Sequence, residues 1–291
     1  MAEIVFLGMR HKITLCLWYS LLLLPISAIG QSWTLPESVV YAQISYSRLL
    51  YDRAVDGSGE IVELPVSVGD RTVQLLAQYG ITDRLTAELR LPFKMIETTG
   101  DPALYNSYPG QYLELGSISA LGNVEAGVLY NFYTDKPKLT ASLFVEALTS
   151  QHNYVQGIQT GFSSWAVRPG IGTGWTYGPS WMQFYLGTSL RNNDYSHAAI
   201  SNLEIGYKPA DYLYAALAFD VRQSFGNGGD CDCTTDATAL YLSEQEYIGI
   251  ALKGGFNIGD LGFNFAYHAA VSARNVAAAG VPVFGVQYRS N

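Results

Sequence analysis

The chain has 291 residues with a formal net charge of −8, and only 14% of its residues are charged. Together with a mean hydropathy of +0.10, this composition excludes an ordinary soluble surface and a helical membrane protein. The acidic balance excludes nucleic-acid binding, which needs a basic patch or stripe. The 21 tyrosines and 29 glycines suit many strands, tight turns and aromatic girdles at two membrane interfaces, and they also suit a large β-sandwich.

The N-terminus carries the pattern of an export signal. Basic residues from Arg10 to Lys12 precede an apolar stretch from Ile13 to Ile26, and small residues follow it. This order predicts a signal peptide over residues 1–30 and a mature chain over 31–291. An N-terminal transmembrane anchor is the alternative, but the apolar stretch is short for a span of about 20 residues and no basic stop-transfer segment follows.

The clearest strand pair is the stretch from Thr72 to Pro92. Apolar and polar residues alternate through both arms, with Leu76 as the exception, and a tight turn from Gly80 to Asp83 joins them. Successive side chains of a strand point to opposite faces, so this stretch predicts an antiparallel hairpin with one apolar and one polar face. A soluble sheet would bury the apolar face under another layer, and we find no such layer elsewhere in the sequence.

The same alternation recurs along the chain. The predicted strands are Ser38–Tyr51, the two arms of Thr72–Pro92, Gly122–Tyr133, Leu139–Thr149, Trp165–Tyr177, Trp181–Leu190, Ile200–Tyr207, Tyr212–Gln223, Glu246–Ile258, Leu261–Ser272 and Val281–Arg289. These are about 12 strands, and segments of about ten residues match the length that crosses a bilayer at a tilt.

The connections between these strands are sorted by length. Short turns, most of which carry an aspartate (Asp83, Asp135, Asp211 and Asp260), alternate with longer connections. The longer ones are predicted at Asp52–Asp70, Phe93–Leu121, Gln151–Ser164, Arg191–Ala199 and Ser224–Ser243, and Ala273–Gly280 is a short connection to the last strand. Both ends of the chain then fall on the short-turn side, which is the arrangement of a bacterial outer-membrane barrel.

The predicted fold class is therefore all-β, a transmembrane antiparallel β-barrel of the Gram-negative outer membrane with short periplasmic turns and long external loops. A β-sandwich can alternate apolar and polar faces, but it gives no reason for connections sorted so regularly by length. In hydrocarbon every backbone N–H and C=O must pair within the protein, so the sheet has to close. Closure turns the apolar face towards lipid and the polar face towards the lumen.

The alternation assigns a set of polar residues to the lumenal face. They are Glu88, Arg90, Glu125, Glu146, Arg168, Glu204, Asp220, Arg222, Lys253, Asn264 and His268. An Arg or Lys facing lipid near the midplane would cost about 2–4 kcal/mol, which supports placing the set inside. Two interpretations stay open: a salt-bridged, water-filled or self-plugged interior, and a polar pathway whose charges set the selectivity for a small solute.

Two cysteines remain in the mature chain, Cys231 and Cys233, within an acidic and polar segment. Either they form a disulfide across one intervening residue, or their thiolates and the neighbouring carboxylates bind a metal. No histidine nearby in the sequence would complete a usual zinc ligand set, so the disulfide is the preferred interpretation. The sequence predicts no metal and no cofactor.

The sequence predicts no enzyme. A lipase built on such a barrel would need a serine activated by a histidine, often as His-x-Ser, and none of His152, His197 and His268 is followed by serine at that spacing. No glycine-rich phosphate loop follows a strand into a helix. Gly170, Gly172 and Gly174 lie at strand period, and we expect them to make room for bulky lumenal neighbours.

Two segments, QYGITDRLTAELRLP and LGNVEAGVLYNFY, resemble a family of outer-membrane barrels described as transporters of the meta-pathway of phenol degradation. That family is loosely similar to long-chain fatty-acid and aromatic-hydrocarbon channels. Tyr79–Leu85 matches its YG-x-TDRL hairpin, and Gly122–Tyr130 resembles its GD(I/L)-x-x-G-x-x-Y strand, with Asn123 and Val124 at the second and third positions. The resemblance covers about the first half of the mature chain. The resemblance implies a barrel that transports a solute. In that family the identity of the solute is usually inferred.

We therefore expect a monomeric outer-membrane channel or transporter for a small solute of hydrophobic or aromatic character, with membrane lipid as its other partner. The alternative is a structural or adhesive barrel that binds a partner through Asp52–Asp70, Phe93–Leu121 and Ser224–Ser243. A soluble periplasmic binding protein is a third hypothesis, which membrane fractionation and a heat-modifiable gel shift would separate from a barrel.

Overall fold

A computed structural model of the chain describes residues 32–100, 114–229, 238 and 240–290. The predicted signal peptide and both Cys231 and Cys233 lie outside the described residues. Within the described residues the regular elements are strands, and no helix there is long and apolar enough to cross a bilayer. The strands are β1 (Val40–Val55), β2 (Ile61–Thr82), β3 (Leu85–Gly100), β4 (Ser117–Leu121), β5 (Val124–Tyr133), β6 (Lys138–Ala147), β7 (His152–Asn153), β8 (Ile158–Gln159), β9 (Ala166–Tyr177), β10 (Ser180–Arg191), β11 (Ala198–Ala210), β12 (Leu213–Ser224), β13 (Glu246–Ile258), β14 (Leu261–Arg274), β15 (Val276–Ala277) and β16 (Val281–Arg289).

The strands form one closed antiparallel barrel. β1 pairs both with β2 and with β16, for example through Tyr41 and Arg289, and this pairing closes the wall. β4 and β5 follow one another along β3, β15 continues beside the end of β1, and β7 and β8 form a separate small hairpin. The wall therefore has 12 strands, which confirms the predicted fold class. A closed wall leaves no strand edge unpaired in hydrocarbon.

The two faces of the wall have opposite chemistry. Outward-facing side chains are apolar and uncovered: Leu252 is 64% exposed and Ile171 59%. Inward-facing side chains are mostly polar or small and buried, such as Ser45 and Thr86. Leu76, the apolar residue on the polar side of the hairpin, is buried on the inner face. No protein layer covers the outer face among the described residues, so lipid replaces it.

Exposed aromatic residues gather at the short-turn end of the barrel. Those that lie in or within a few residues of a short turn or the chain end are Tyr79, Tyr130, Phe132, Tyr133, Tyr177, Tyr207, Tyr212, Phe256 and Tyr288. Aromatic rings of this kind sit at the level of the lipid headgroups, with the ring body in the apolar region and the polar tip in water. They mark the periplasmic interface of the barrel.

The first strands are longer than the sequence predicts. Asp52–Asp70 was expected to be a connection, but β1 and β2 stay paired to Val55 and Ile61, and only residues 56–60 remain as a turn. Likewise, much of Phe93–Leu121 belongs to β3 and β4. The outward face of these extensions carries the exposed ion pair of Arg71 and Glu97. Charges on that face indicate that the strands continue beyond the lipid on the external side.

We expect Leu252→Arg to destabilise the barrel by about 2–4 kcal/mol, because it places a charge against lipid in the middle of β13. Ile258→Arg is the matched control, since Ile258 ends the same strand and is similarly exposed, at 67% against 64%. Near the interface the same change should cost about 0–1 kcal/mol. Denaturant unfolding of the two variants in phospholipid vesicles measures the difference, and equal losses of stability would contradict the membrane placement.

Candidate functional site

The residues predicted to line the lumen all lie at inward-facing positions of the wall. Glu88, Glu125 and Glu146 are 3–4% exposed, and the other charged members on β9 to β13 are also largely shielded. His268 on β14 is half-buried and lies opposite Ala251 and Val281 of the neighbouring strands. The contacts between these side chains divide them into two separate groups.

The larger group is an alternating chain of carboxylates and guanidinium groups across one half of the wall. The linked members are Glu88, Arg90, Glu125, Arg168, Glu146 and Arg191; together with Arg222, which lies beside them without an ion pair in the described residues, we call this group the arginine cluster. Arg90 Nη1 lies 2.9 Å from Glu125 Oε1, and its Nη2 reaches Glu88. Arg168 then bridges Glu125 and Glu146, and Arg191 binds Glu146 with both terminal nitrogens, at 2.8 and 2.9 Å. The cluster therefore links β3, β5, β6, β9 and β10 from inside.

A smaller group of polar side chains lies on the other half of the wall. Glu204 on β11 accepts hydrogen bonds from Trp181 Nε1 and Gln183 Nε2, both at 3.0 Å, and from Lys253 Nζ at 2.7 Å. Asp220 accepts a hydrogen bond of 2.7 Å from Asn202 Nδ2. With two donors and one cation around it, Glu204 is fully satisfied, so this group stabilises the wall and carries no spare charge at that carboxylate.

Three charged residues inside the barrel were missed by the sequence prediction. Arg191, Asp70 and Lys94 were assigned to connections, but the strands that carry them extend further and keep them on the inner face. Lys94 pairs with Asp70 in the external half of the lumen. The alternation of β2 could have identified Asp70, because Val66, Val68 and Asp70 continue the series of inward-facing residues. A connection was predicted there because the segment is polar.

Residues of the external connections fold into the lumen and form an apolar plug. We call it the external plug; its loop residues are Ile158, Phe162, Leu240, Tyr241 and Val276 to Ala279, packed against inward residues of the wall such as Leu49, Tyr51, Val68 and Ile96. Gln159 Nε2 donates to the carbonyl oxygen of Leu240 at 3.1 Å, which joins two of these connections. Burial raises the pKa of Tyr241 to about 12, so its hydroxyl stays neutral above Lys94.

The opposite end of the lumen is occupied by the start of the described chain. This N-terminal segment, residues 32–37, runs inside the barrel before β1 begins. Thr140 Oγ1 donates to the carbonyl oxygen of Ser32 at 2.9 Å, and Thr86 Oγ1 accepts from the amide of Leu35 at 2.8 Å. Thr86 lies on β3 and Thr140 on β6, and Ser32 Oγ donates to the carbonyl oxygen of Phe184 on β10 at 3.1 Å. The segment therefore runs along the inner face of the wall from β10 to β3 at the periplasmic end.

Glycines make room for this segment and for other large lumenal side chains. A Cβ on Gly174 would lie 2.5 Å from the Trp33 ring, and one on Gly80 would lie 1.8 Å from the carbonyl oxygen of Pro36. A Cβ on Gly170 would similarly meet the hydroxyl of Tyr185 at 2.2 Å. The expectation that glycines of this strand accommodate bulky neighbours inside the barrel is therefore confirmed for Gly170 and Gly174.

A cavity of about 170 Å³ remains in the lumen beneath the external plug. Its walls include Arg90, Arg168, Arg191 and Arg222 from the arginine cluster together with the Lys94–Asp70 pair. Phe162, Leu240 and Tyr241 supply apolar and aromatic surface on its external side. Within the residues the structure describes, no group of three or more His, Cys, Asp and Glu side chains is placed to hold a metal ion. The cavity can therefore accept a small molecule against both charged and apolar walls.

Comparison with solved structures identifies similar barrels. The COG4313 outer membrane channel from Pseudomonas putida F1 is 16% identical, with a TM-score of 0.68 over 91% of this chain and 100% of that chain. The translocator domain of the autotransporter NalP from Neisseria meningitidis is 12% identical, with a TM-score of 0.49 over 88% of this chain and 90% of that domain. At these identities the first similarity shows the fold, an outer-membrane barrel, and agrees with the predicted outer-membrane location.

No family model matches the chain, and no curated protein matches its sequence. The resemblance to transporters of the phenol meta-pathway is therefore not confirmed beyond the level of an outer-membrane barrel.

We expect Glu146→Gln to destabilise the barrel by about 3–5 kcal/mol, because it removes the charge that two buried guanidinium groups share. Glu97→Gln is the matched control: its pair with Arg71 is about half exposed, and such pairs contribute about 0–1 kcal/mol. Denaturant unfolding in vesicles measures both variants. A similar, small loss in the two would show that the arginine cluster does not hold the wall.

Proposed function

We propose that this protein is a monomeric outer-membrane channel that passes a small solute. The observation that carries the proposal is a cavity lined by charged side chains inside a barrel whose two ends are closed by chain segments and not by the wall. A wall of 12 strands has intermediate width, between barrels filled by their own side chains and open porins. The similar barrel of Pseudomonas putida is named an outer membrane channel, which supports the same function here.

Both closures are built from elements that can move without breaking the wall. The N-terminal segment precedes the first wall strand and belongs to no strand of the wall, and it is held by hydrogen bonds to Thr140 and Thr86 and by the packing of Trp33. The external plug consists of connections that enter from above the lipid. Tyr241 within it has a φ of 60°, a left-handed conformation that is unfavourable for a bulky residue. Such strained positions are typical of segments that switch between two arrangements.

The lining of the pathway favours a small solute with polar and apolar parts. Charged side chains of both signs line the middle of the lumen, while Phe162, Leu240 and Tyr241 form an apolar surface at the external entrance. A solute of hydrophobic or aromatic character would cross the entrance by contact with these side chains. The paired charges below would favour a polar or charged group on the same molecule.

The alternative function is an adhesive barrel that binds a partner through its external connections. That function would need the connections to project into the surroundings. Within the described part of Ser224–Ser243, however, Leu240 and Tyr241 turn inward and are buried, at 3% and 9% exposure. Inward packing of this kind blocks the lumen and offers little surface to a partner, so it favours the channel.

We expect channel opening to require removal of both closures, because they act in series. In planar bilayers the deletion of residues 32–36 alone, or Leu240→Gly with Tyr241→Gly alone, should leave the current small. The variant that combines them should carry a single-channel current at least an order of magnitude larger. Trp33→Ala, combined with Leu240→Gly and Tyr241→Gly, removes one large side chain of the N-terminal closure. This variant should also carry a larger current.

Two matched controls accompany this measurement. Trp165→Ala changes a tryptophan on the outer face, and Tyr154→Ala changes an external tyrosine that is 71% exposed. Neither should alter the current in any background. If the combined variant is as silent as the unmodified protein while remaining folded by heat-modifiable migration, the channel function is wrong.

A further inference from the structure

Among the described residues, Arg222 on β12 is buried with neither an ion-pair nor a hydrogen-bond partner, and its contact is with the ring of Phe162. The residue is 6% exposed, and within the part of the chain the structure describes it takes part in no ion pair and donates no hydrogen bond, its Nε included. A buried charge without an acceptor is costly, and a surrounding protein normally supplies a carboxylate or a carbonyl. Here the guanidinium group instead lines the cavity.

The neighbouring carboxylates are already bound by other arginines. Glu146, the nearest acidic member of the arginine cluster, accepts hydrogen bonds from Arg168 and from both terminal nitrogens of Arg191. The cluster as a whole contains four arginines and three glutamates, so one positive charge is left over. The Lys94–Asp70 pair on the same cavity is balanced. Within this cluster the excess positive charge is therefore that of Arg222; Asp220, the inward carboxylate two residues earlier on β12, accepts a hydrogen bond from Asn202 and is not in the cavity lining.

An aromatic surface lies next to this excess charge. The Cζ atom of Arg191 is 3.8 Å from the centroid of the Phe162 ring, and that of Arg222 is 5.8 Å from it. Tyr195 and Tyr241 approach the same ring edge-on, at 5.4 and 5.2 Å between centroids. A molecule in the cavity would thus meet a guanidinium group on one side and apolar ring surface on the other.

We infer that the cavity is a binding site for a small organic monocarboxylate that carries an apolar group. A single negative charge balances the excess on the cluster, whereas a dianion would exceed it. The planar fork of a guanidinium group matches a carboxylate with two parallel hydrogen bonds. The cavity of about 170 Å³ is comparable to apolar cavities of about 150 Å³ that take up benzene, so there is room for an apolar part of that size.

This inference deepens the proposed function, because the bound monocarboxylate would be the solute or one of its class. Binding does not depend on flux, however, and the two are measured separately. If benzoate binds but the opened variant carries no current, the channel function is wrong and the binding site stands. If the opened variant carries current but benzoate does not bind, the binding site is wrong and the channel function stands.

Isothermal titration of the folded barrel in a neutral detergent tests the site, with benzoate as the probe. Benzyl alcohol and benzamide have the same ring without the charge, and sodium chloride and inorganic phosphate have the charge without the ring. We expect one benzoate bound per chain, weaker binding by at least about tenfold for the neutral molecules, and no competition from chloride or phosphate at equal concentration.

Arg222→Gln should weaken benzoate binding by at least about tenfold, since the charged donor is lost. Arg222→Lys keeps the charge without the fork and should bind with intermediate affinity. Arg274→Gln is the matched control, because Arg274 lies at the external rim with its side chain 58% exposed, and it should bind benzoate normally.

Stability without ligand separates a lost site from a misfolded barrel. Arg222→Gln removes an unpartnered buried charge, so its melting temperature without benzoate should equal or exceed that of the unmodified protein. Benzoate should raise the melting temperature of the unmodified protein and leave that of Arg222→Gln unchanged. Equal binding of benzoate and benzyl alcohol, competition by chloride, or normal benzoate binding by Arg222→Gln would each overturn the inference.

Discussion

The requirement that every backbone polar group pair inside the lipid determines the rest of this structure. Hydrocarbon offers no hydrogen bonds, so a spanning sheet cannot leave an open edge. The pairing of β1 with β16 meets this requirement by joining residues from opposite ends of the chain, such as Tyr41 and Arg289. Once the wall is closed, strand alternation leaves only two environments, lipid and lumen. Every side chain of the wall has to suit one of them.

The lumen therefore receives the charge that the described wall carries within the membrane, and most of its charges are paired, with Arg222 as an exception. The arginine cluster joins strands from β3 to β10, and the Glu204 group joins β10, β11 and β13. Buried pairs gain little over apolar packing because desolvation offsets much of the Coulomb attraction. They provide what an apolar interior could not, a polar lumen that is compatible with water.

Much of this architecture follows from the sequence because it depends on local alternation. The 12 strands, the lipid face and the inward position of residues such as Glu125 and Arg168 need only period-two reasoning and the cost of a charge in lipid. The errors occurred where strands extend beyond the membrane. There the outward face becomes polar, as at Arg71, so apolar and polar residues no longer alternate. Inward residues such as Asp70 and Lys94 were therefore assigned to connections.

The closures of the lumen could not be predicted in the same way. Whether Leu240 and Tyr241 turn inward depends on contacts with wall residues such as Tyr51 that are far away in the sequence. The N-terminal segment has no periodic pattern, and its place is set by contacts with distant wall residues, such as the hydrogen bonds to Thr86 and Thr140 and the packing of Trp33 at Gly174. The candidate site was therefore predictable as a set of lumenal charges, but not as a bounded cavity or as one unbalanced arginine.

The position of the N-terminal segment also constrains how the barrel assembles. The segment leads directly into β1, and β1 forms the last seam with β16, across a longer sequence separation than any other wall pairing. Contacts between such distant residues are the slowest to form, because the intervening chain must first be ordered. The open seam gives residues 32–37 a lateral way into the lumen, which disappears when the strands zip together. We therefore expect residues 32–37 to take their place inside the barrel before β1 and β16 pair.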